Sequence, residues 1–391
     1  MQTDVVVPSF TNQLIAPLTV QFTDTSSPAP TAWDWDLDGD GLTDSTAQNP
    51  TFVYPSGCGE VNVTLRAQRA CQPITTLSKR VAVASTLETT FASGLVISAT
   101  APGGASFMDV NVLNPNGVTV CGLHVNSNVA AGSPVTLNLW QKAGTYVGAV
   151  TDATQWRLVG TAAATSRGAG QRTFAPLAAP LHLAAGLNGV AVEMVGGSPV
   201  YTNLGALTTY GNADLSITTG LVQLTPIFGP STTSTQFSPR VWNGAFHYGT
   251  TQSNGAAGYG YIGAGCVGTL GVPGNVATTP PTLGGAATIT VNNLPVGIAV
   301  LAVGVSRSLS GIGPLPVDLG FLGMPGCPLR VSFEATLTMV GAGTSASLAF
   351  GVPSTPALVG TQLYTQALSL DPALNTFGFG LSDAAVLLVG Q

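Results

Sequence analysis

Apolar side chains recur at every second position along much of this 391-residue chain, a spacing that lines one face of a strand and not one side of a helix. The pattern is plainest at Val110 and Val112, at Val135, Leu137 and Leu139, and at Val190, Val192 and Met194. Val118, Val120 and Leu123 follow it with a slip, and Val331, Phe333, Ala335, Leu337 and Met339 alternate without a break. Ala384-Ala385-Val386-Leu387-Leu388-Val389 is apolar throughout, which predicts a central, tightly paired strand. Turn signals such as Pro102-Gly103-Gly104, Asn114-Pro115-Asn116-Gly117 and Gly196-Gly197-Ser198-Pro199 separate the runs. Many short strands at such intervals predict sandwich or jelly-roll layers.

Composition sharpens this to an all-β chain. With 49 Gly and 27 Pro, long helices are disfavoured throughout. Charged residues are only 7%, against about 25% in ordinary globular domains. The 45% hydrophobic content nonetheless supplies enough apolar surface for packed cores. Three tandem β-sandwich domains are expected: residues 1–85, residues 86–251, and a Gly-rich linker with a C-terminal sandwich over residues 252–391. The first boundary follows Val81-Ala82-Val83 at Ser85-Thr86, and the second is the small, flexible run Ser253-Asn254-Gly255-Ala256-Ala257-Gly258-Tyr259-Gly260.

Charge is concentrated in one place. Asp24, Asp34, Asp36, Asp38, Asp40 and Asp44 are six of the 17 acids, and the remaining 11 match the 11 Lys and Arg, so the formal charge of −6 belongs to this cluster. Asp36, Asp38, Asp40 and Asp44 occupy positions 1, 3, 5 and 9 of a calcium-loop pattern, with Gly41 at the sharp turn. Carboxylates crowded this closely repel one another unless a cation lies between them. An EF-hand would need Glu at position 12, where this chain has Ala47. The expectation is therefore an Asp-rich β-turn loop holding Ca2+ through Asp36, Asp38, Asp40 and Asp44, with main-chain carbonyls and water as further ligands. The alternative is a solvated acidic turn.

Strand alternation upstream places Trp33 and Trp35 on one face and Asp34 and Asp36 on the other. With Ala16-Pro17-Leu18-Thr19-Val20-Gln21-Phe22-Thr23-Asp24, Asn49-Pro50-Thr51-Phe52-Val53-Tyr54 and Val61-Asn62-Val63-Thr64-Leu65, this stretch closely resembles the PKD (polycystic kidney disease type) domain. That family's Trp-Asp-Phe-Gly-Asp-Gly signature corresponds here to the longer, more acidic Trp35-Asp36-Leu37-Asp38-Gly39-Asp40-Gly41. The resemblance covers about residues 1–85. It implies an immunoglobulin-like sandwich that spaces, binds or adheres and carries no catalytic residues. Phe237-Ser238-Pro239-Arg240-Val241-Trp242-Asn243-Gly244 resembles β-rich modules of large secreted bacterial proteins, which implies a location and no activity.

Domain placement of the cysteines predicts disulfides Cys58–Cys71 and Cys266–Cys327, leaving Cys121 as a buried strand thiol. Such bonds belong to an extracellular or cell-surface setting. Met1-Gln2-Thr3-Asp4 lacks the basic and apolar regions of a signal peptide, so either an export signal was removed before this numbering or the setting is not extracellular. No apolar run reaches the ~20 residues of a membrane span. Lys79 and Lys142 are the sole lysines and the pI is near 4.8, which argues against nucleic acid. Asn62-Val63-Thr64 is the one glycosylation sequon.

Catalytic patterns are missing. His124, His182 and His247 each fall in strand-like contexts and are expected on polar faces. Gly263-Ala264-Gly265-Cys266-Val267-Gly268 matches the dinucleotide fingerprint by letter, yet Gly271, Pro273 and Gly274 prevent a following helix. Arg240 beside Trp242 offers either a sugar-stacking pair or edge packing. The sequence thus points to a non-enzymatic extracellular structural protein, a self-associating subunit of a filament, surface layer or matrix. The low charge motivates this, because sheet edges guarded by so few lysines are open to strand addition. The alternative is a carbohydrate-binding or adhesive accessory module of a larger secreted hydrolase, with polysaccharide or cell-surface contacts.

Overall fold

In the computed structural model, residues 5–391 are described except Pro17, 55–58, 92–94, 98–102, Ser231, 251–254 and Ala256. The described residues contain strands and three short 3-10 turns, with no α-helix among them, so the all-β expectation holds. No helix among them is long and apolar enough to cross a membrane. Two compact units are present: Met1–Thr86 with His247–Gly255, and Leu87–Phe246 with Ala256–Gln391.

The first unit has two three-stranded antiparallel sheets. One comprises β1 (Phe10–Ala16), β2 (Thr19–Asp24) and, after β3 (Ala32–Asp36), β4 (Thr51–Val53); β3 joins β5 (Glu60–Gln68) and β6 (Thr75–Ala82) in the other. Alternation in β2 and β5 turns Val20, Phe22, Val63, Leu65 and Ala67 inward. Their shared core closes on Trp35, which is fully buried and meets the rings of Phe10 and Phe22 at centroid distances of 5.2 and 5.8 Å. The Phe10 contact is edge-to-face and the Phe22 contact tilted, and aromatic pairs of this kind contribute beyond the area they bury.

In the second unit the alternating runs become β7 (Gly104–Val112), β8 (Val118–Val125), β9 (Pro134–Ala143), β10 (Arg157–Thr165), β11 (Thr173–Leu183), β12 (Gly186–Val195) and β13 (Leu215–Leu224). Their antiparallel order is β10-β9-β12-β7-β13, while β8 pairs with β11. The slip expected at Val118 to Leu123 is a register shift between Val120 and Gly122.

C-terminal to these run β14 (Gly258–Gly263), β15 (Asn275–Thr279), β16 (Ala286–Asn292), β17 (Ile298–Gly304), β18 (Ala335–Val340), β19 (Ser345–Gly351), β20 (Gln362–Leu370) and β21 (Phe379–Leu388). The sheets β14-β21-β20-β17-β18 and β15-β16-β19 enclose Ile289, Val291, Leu301, Met339, Ala367 and Leu387. The apolar run in β21 is paired on both sides, as its composition predicted.

Two expectations differ from what is observed. The boundary near residue 251 does not separate independent second and third domains: β11 pairs with β14 at Leu181 and Tyr259, and Arg157 binds Asp383, so both segments share one unit. The alternation from Val331 to Met339 is a strand only from Ala335, and Leu337 is exposed while Met339 is buried. There β18 borders a cleft, and Phe333 turns toward it.

Candidate functional site

The acidic loop leaves β3 directly, so its first carboxylate is placed by the sheet. Asp36 is buried, and its two oxygens accept the N–H groups of Gly39 at 2.7 Å and Gly41 at 3.1 Å. Both glycines have φ above 80°, the left-handed region that Gly enters without strain. Asp38 Oδ1 accepts from the Asp40 N–H and Asp40 Oδ1 from the Leu42 N–H, which coils the loop on itself. Carboxylate oxygens of Asp36, Asp38 and Asp40 lie within 4.8 Å of one another. That is about twice a Ca–O bond of ~2.4 Å, so one ion can span them.

Asp44 stands outside this group. Its Oδ2 accepts the N–H groups of Leu37 at 2.6 Å and Asp38 at 3.2 Å, so it closes the loop's neck. Asp34 and Asp24 are also committed: Asp34 takes the Thr43 hydroxyl and the Arg66 guanidinium, and Asp24 takes the Trp33 indole N–H. From below, the Tyr54 hydroxyl donates to the Leu37 carbonyl at 2.8 Å. Burial first, then the charges of Asp44 and Asp38, push its pKa well above the usual phenol value.

The cysteines divide differently from the expected pairing. Cys266 and Cys327 form a disulfide, as predicted. Cys71 is a free thiol, exposed in the turn after β5 at a φ of 63°, whereas Cys121, expected as a thiol, is disulfide-bonded. Cys58, the other half of the predicted pair, lies outside the described residues.

The histidines sit in strands but not on polar faces, since His124, His182 and His247 are all buried. His182 shares a hydrogen bond with Thr119 Oγ1, and a Cβ at Gly117, Gly258 or Gly260 would collide with it, so glycine makes its space. Burial, with the Arg307 charge behind it, holds its pKa down at about 3. Arg240 lies over Tyr201 and Phe237 while Trp242 is buried, which is edge packing and not a sugar platform. Gly263 ends β14, and the fingerprint-like glycines form no helix.

One site escaped the sequence reading. A cleft of about 340 Å³ opens beside the Cys266–Cys327 bond, with Leu329, Leu368 and Leu381 among its walls. Its rim carries Phe321, Phe333 and Phe377, which are 67%, 44% and 45% exposed. Local chemistry fixes two of these rings. Asp318 caps the 3-10 turn Leu319–Leu322 and Gly323 ends it at φ 82°, which presents Phe321 outward. Asn375 Oδ1 accepts the Phe377 N–H at 3.1 Å and its amide donates to the Phe379 carbonyl at 2.7 Å, clamping the Phe377 turn. The three rings come from three separated segments, so no local spacing in the sequence signals their meeting.

No family model matches the sequence, and no curated protein matches it. Among solved structures, the chain is similar to one described under the words "Structural basis for the promiscuous specificity of the carbohydrate-binding modules from the beta-sandwich super family". The identity is 11%, with 56% of this chain and 97% of that chain covered and a TM-score of 0.19.

Proposed function

We propose that this chain is a non-catalytic extracellular adhesive module that binds polysaccharide, with its first unit a PKD-type sandwich stiffened by Ca2+. The observation that carries the binding reading is the rim of Phe321, Phe333 and Phe377 standing in solvent around an apolar cleft. Large exposed apolar rings mark interaction surfaces, and an aromatic face suits the C–H face of a sugar ring. The calcium reading is supported by the oxygens of Asp36, Asp38 and Asp40, which would hold the ion while Asp44 keeps the loop closed. Catalysis is disfavoured by how the ionisable groups are used. The histidines are buried in strands, and the Asp383 carboxylate is bound by Arg157 at 2.7 Å and the Gly265 N–H at 3.2 Å. Co-sedimentation of the full chain with insoluble polysaccharides tests the binding reading.

A second reading, self-association into a filament or matrix, is favoured by β18. Among the described pairings this strand bonds only to β17, it contains no charge or proline, and Val340 is 70% exposed. Such an edge lacks the usual guards against strand addition. Light scattering with and without Ca2+ tests it: concentration-dependent assemblies support it, and strict monomers oppose it.

A further inference from the structure

A second cavity, of about 310 Å³, is lined by Ile262 of β14 together with Arg307, Ser308, Leu315, Pro316 and Arg330. Two guanidinium groups in one cavity are notable in a chain with 11 basic residues in all. Among the described residues their guanidinium hydrogen bonds go to main-chain oxygens: Arg330 Nε donates to Ala264 at 2.7 Å, and Arg307 Nη2 to Ala185 at 3.0 Å. Gly263 gives Arg330 its place, because a Cβ there would stand 2.7 Å from Nε.

The nearby carboxylates take their hydrogen bonds elsewhere, although Asp383 also feels the Arg330 charge. Asp383 binds Arg157 and the Gly265 N–H, and Glu334 Oε2 accepts from the Ser332 hydroxyl and the Val305 N–H. Neither Arg307 nor Arg330 forms an ion pair among the described residues. Guanidinium forks with unused N–H groups match a carboxylate, and partial shielding by protein strengthens the pairing over that in open water. The rest of the lining is Ile262, Leu315 and Pro316, which are apolar, and Ser308. A cavity of this size sits at the small end of ligand sites, near ~300 Å³.

We propose that this cavity binds the carboxylate of an acidic sugar, a uronate unit, with Arg307 and Arg330 on the charge and the apolar lining on the ring face. The choice of a sugar as carrier rests on the polysaccharide reading above. The carboxylate site itself rests on the two arginines.

Calorimetric titration of the full chain at low salt with sodium galacturonate, neutral galactose and sodium sulfate tests the site. Galacturonate is expected to bind about tenfold or more tightly than galactose, with binding weakening as salt is raised. Arg307→Gln and Arg330→Gln should each weaken galacturonate by about tenfold or more. Arg307 is exposed, so its variant serves even if loss of the Arg330 bond to Ala264 harms folding. Equal affinity for galactose, indifference to Arg307→Gln, or sulfate binding as tight as galacturonate overturns the proposal. Co-sedimentation with neutral polysaccharide but no galacturonate binding removes this site and leaves the broader reading intact. Galacturonate binding without any co-sedimentation does the reverse.

Discussion

The hydroxyl of Tyr54 donates to the carbonyl of Leu37 at 2.8 Å across 17 residues of sequence, with both residues buried. This bond ties the acidic loop to the core, so the loop's shape does not depend on its own turns alone. Tyr54→Phe leaves the Leu37 oxygen buried without that donor and is expected to cost about 1–3 kcal/mol. Urea denaturation of parent and variant measures it, and a loss near zero would show that the loop is held from elsewhere.

Calcium should raise the thermal midpoint of the first unit. At a concentration 100 times its dissociation constant, linkage predicts a gain of about 2.7 kcal/mol. Asp38→Ala with Asp40→Ala should abolish the gain. In chelator the pair has a smaller effect, because relief of repulsion among the carboxylates offsets the lost hydrogen bonds to the Asp40 and Leu42 N–H groups. Identical midpoints for the parent in calcium and in chelator would contradict the metal assignment.

Acid should weaken the second unit through His182. Its pKa falls from the ordinary 6.5 to about 3 on folding. Between those values the unfolded chain binds the proton and the folded chain does not, so stability drops as pH falls through that window. The slope from this group approaches about 1.4 kcal/mol per pH unit. His182→Gln should flatten the pH dependence relative to the parent, and parallel curves for the two would rule this cause out.

Replacing both Cys266 and Cys327 by Ser opens a loop closed across a separation of 61 residues. Chain entropy puts the loss at about 4 kcal/mol. The first unit should be unaffected, so calorimetry should show one transition moved and the other in place. Two unmoved transitions would mean that packing around Leu319, Met324 and Leu329 is sufficient.

Much of the architecture was legible because alternation is a local property. Val135, Leu137 and Leu139 turn inward in β9 as their spacing requires, and the turn glycines fall between strands. The acidic loop was legible for the same reason, being one contiguous segment. Asp44 was assigned to the metal by a template that counts positions and carries no record of the bonds its Oδ2 accepts from the Leu37 and Asp38 N–H groups. Val331 to Met339 matched a strand by period, but the segment before Ala335 leaves the sheet to line the cleft. The histidines misled because glycines elsewhere in the chain, such as Gly258 and Gly260, decide whether a strand position is covered. The Arg157–Asp383 pair and the phenylalanine rim join residues far apart in sequence, and spacing carries no record of such meetings.

The most direct measurement is co-sedimentation of the full chain with a panel of insoluble polysaccharides, compared with a Phe321→Ala, Phe377→Ala variant. Both rings are exposed and neither is among the cluster residues beside the cleft, although Phe377 meets the Phe379 ring at 5.3 Å, so circular dichroism of the variant accompanies the assay. The account predicts that the parent pellets with at least one polysaccharide and that the variant binds about tenfold or more weakly, as loss of aromatic anchors does at interfaces. A parent that stays in solution with every polysaccharide, or a variant that pellets as well as the parent, would contradict it.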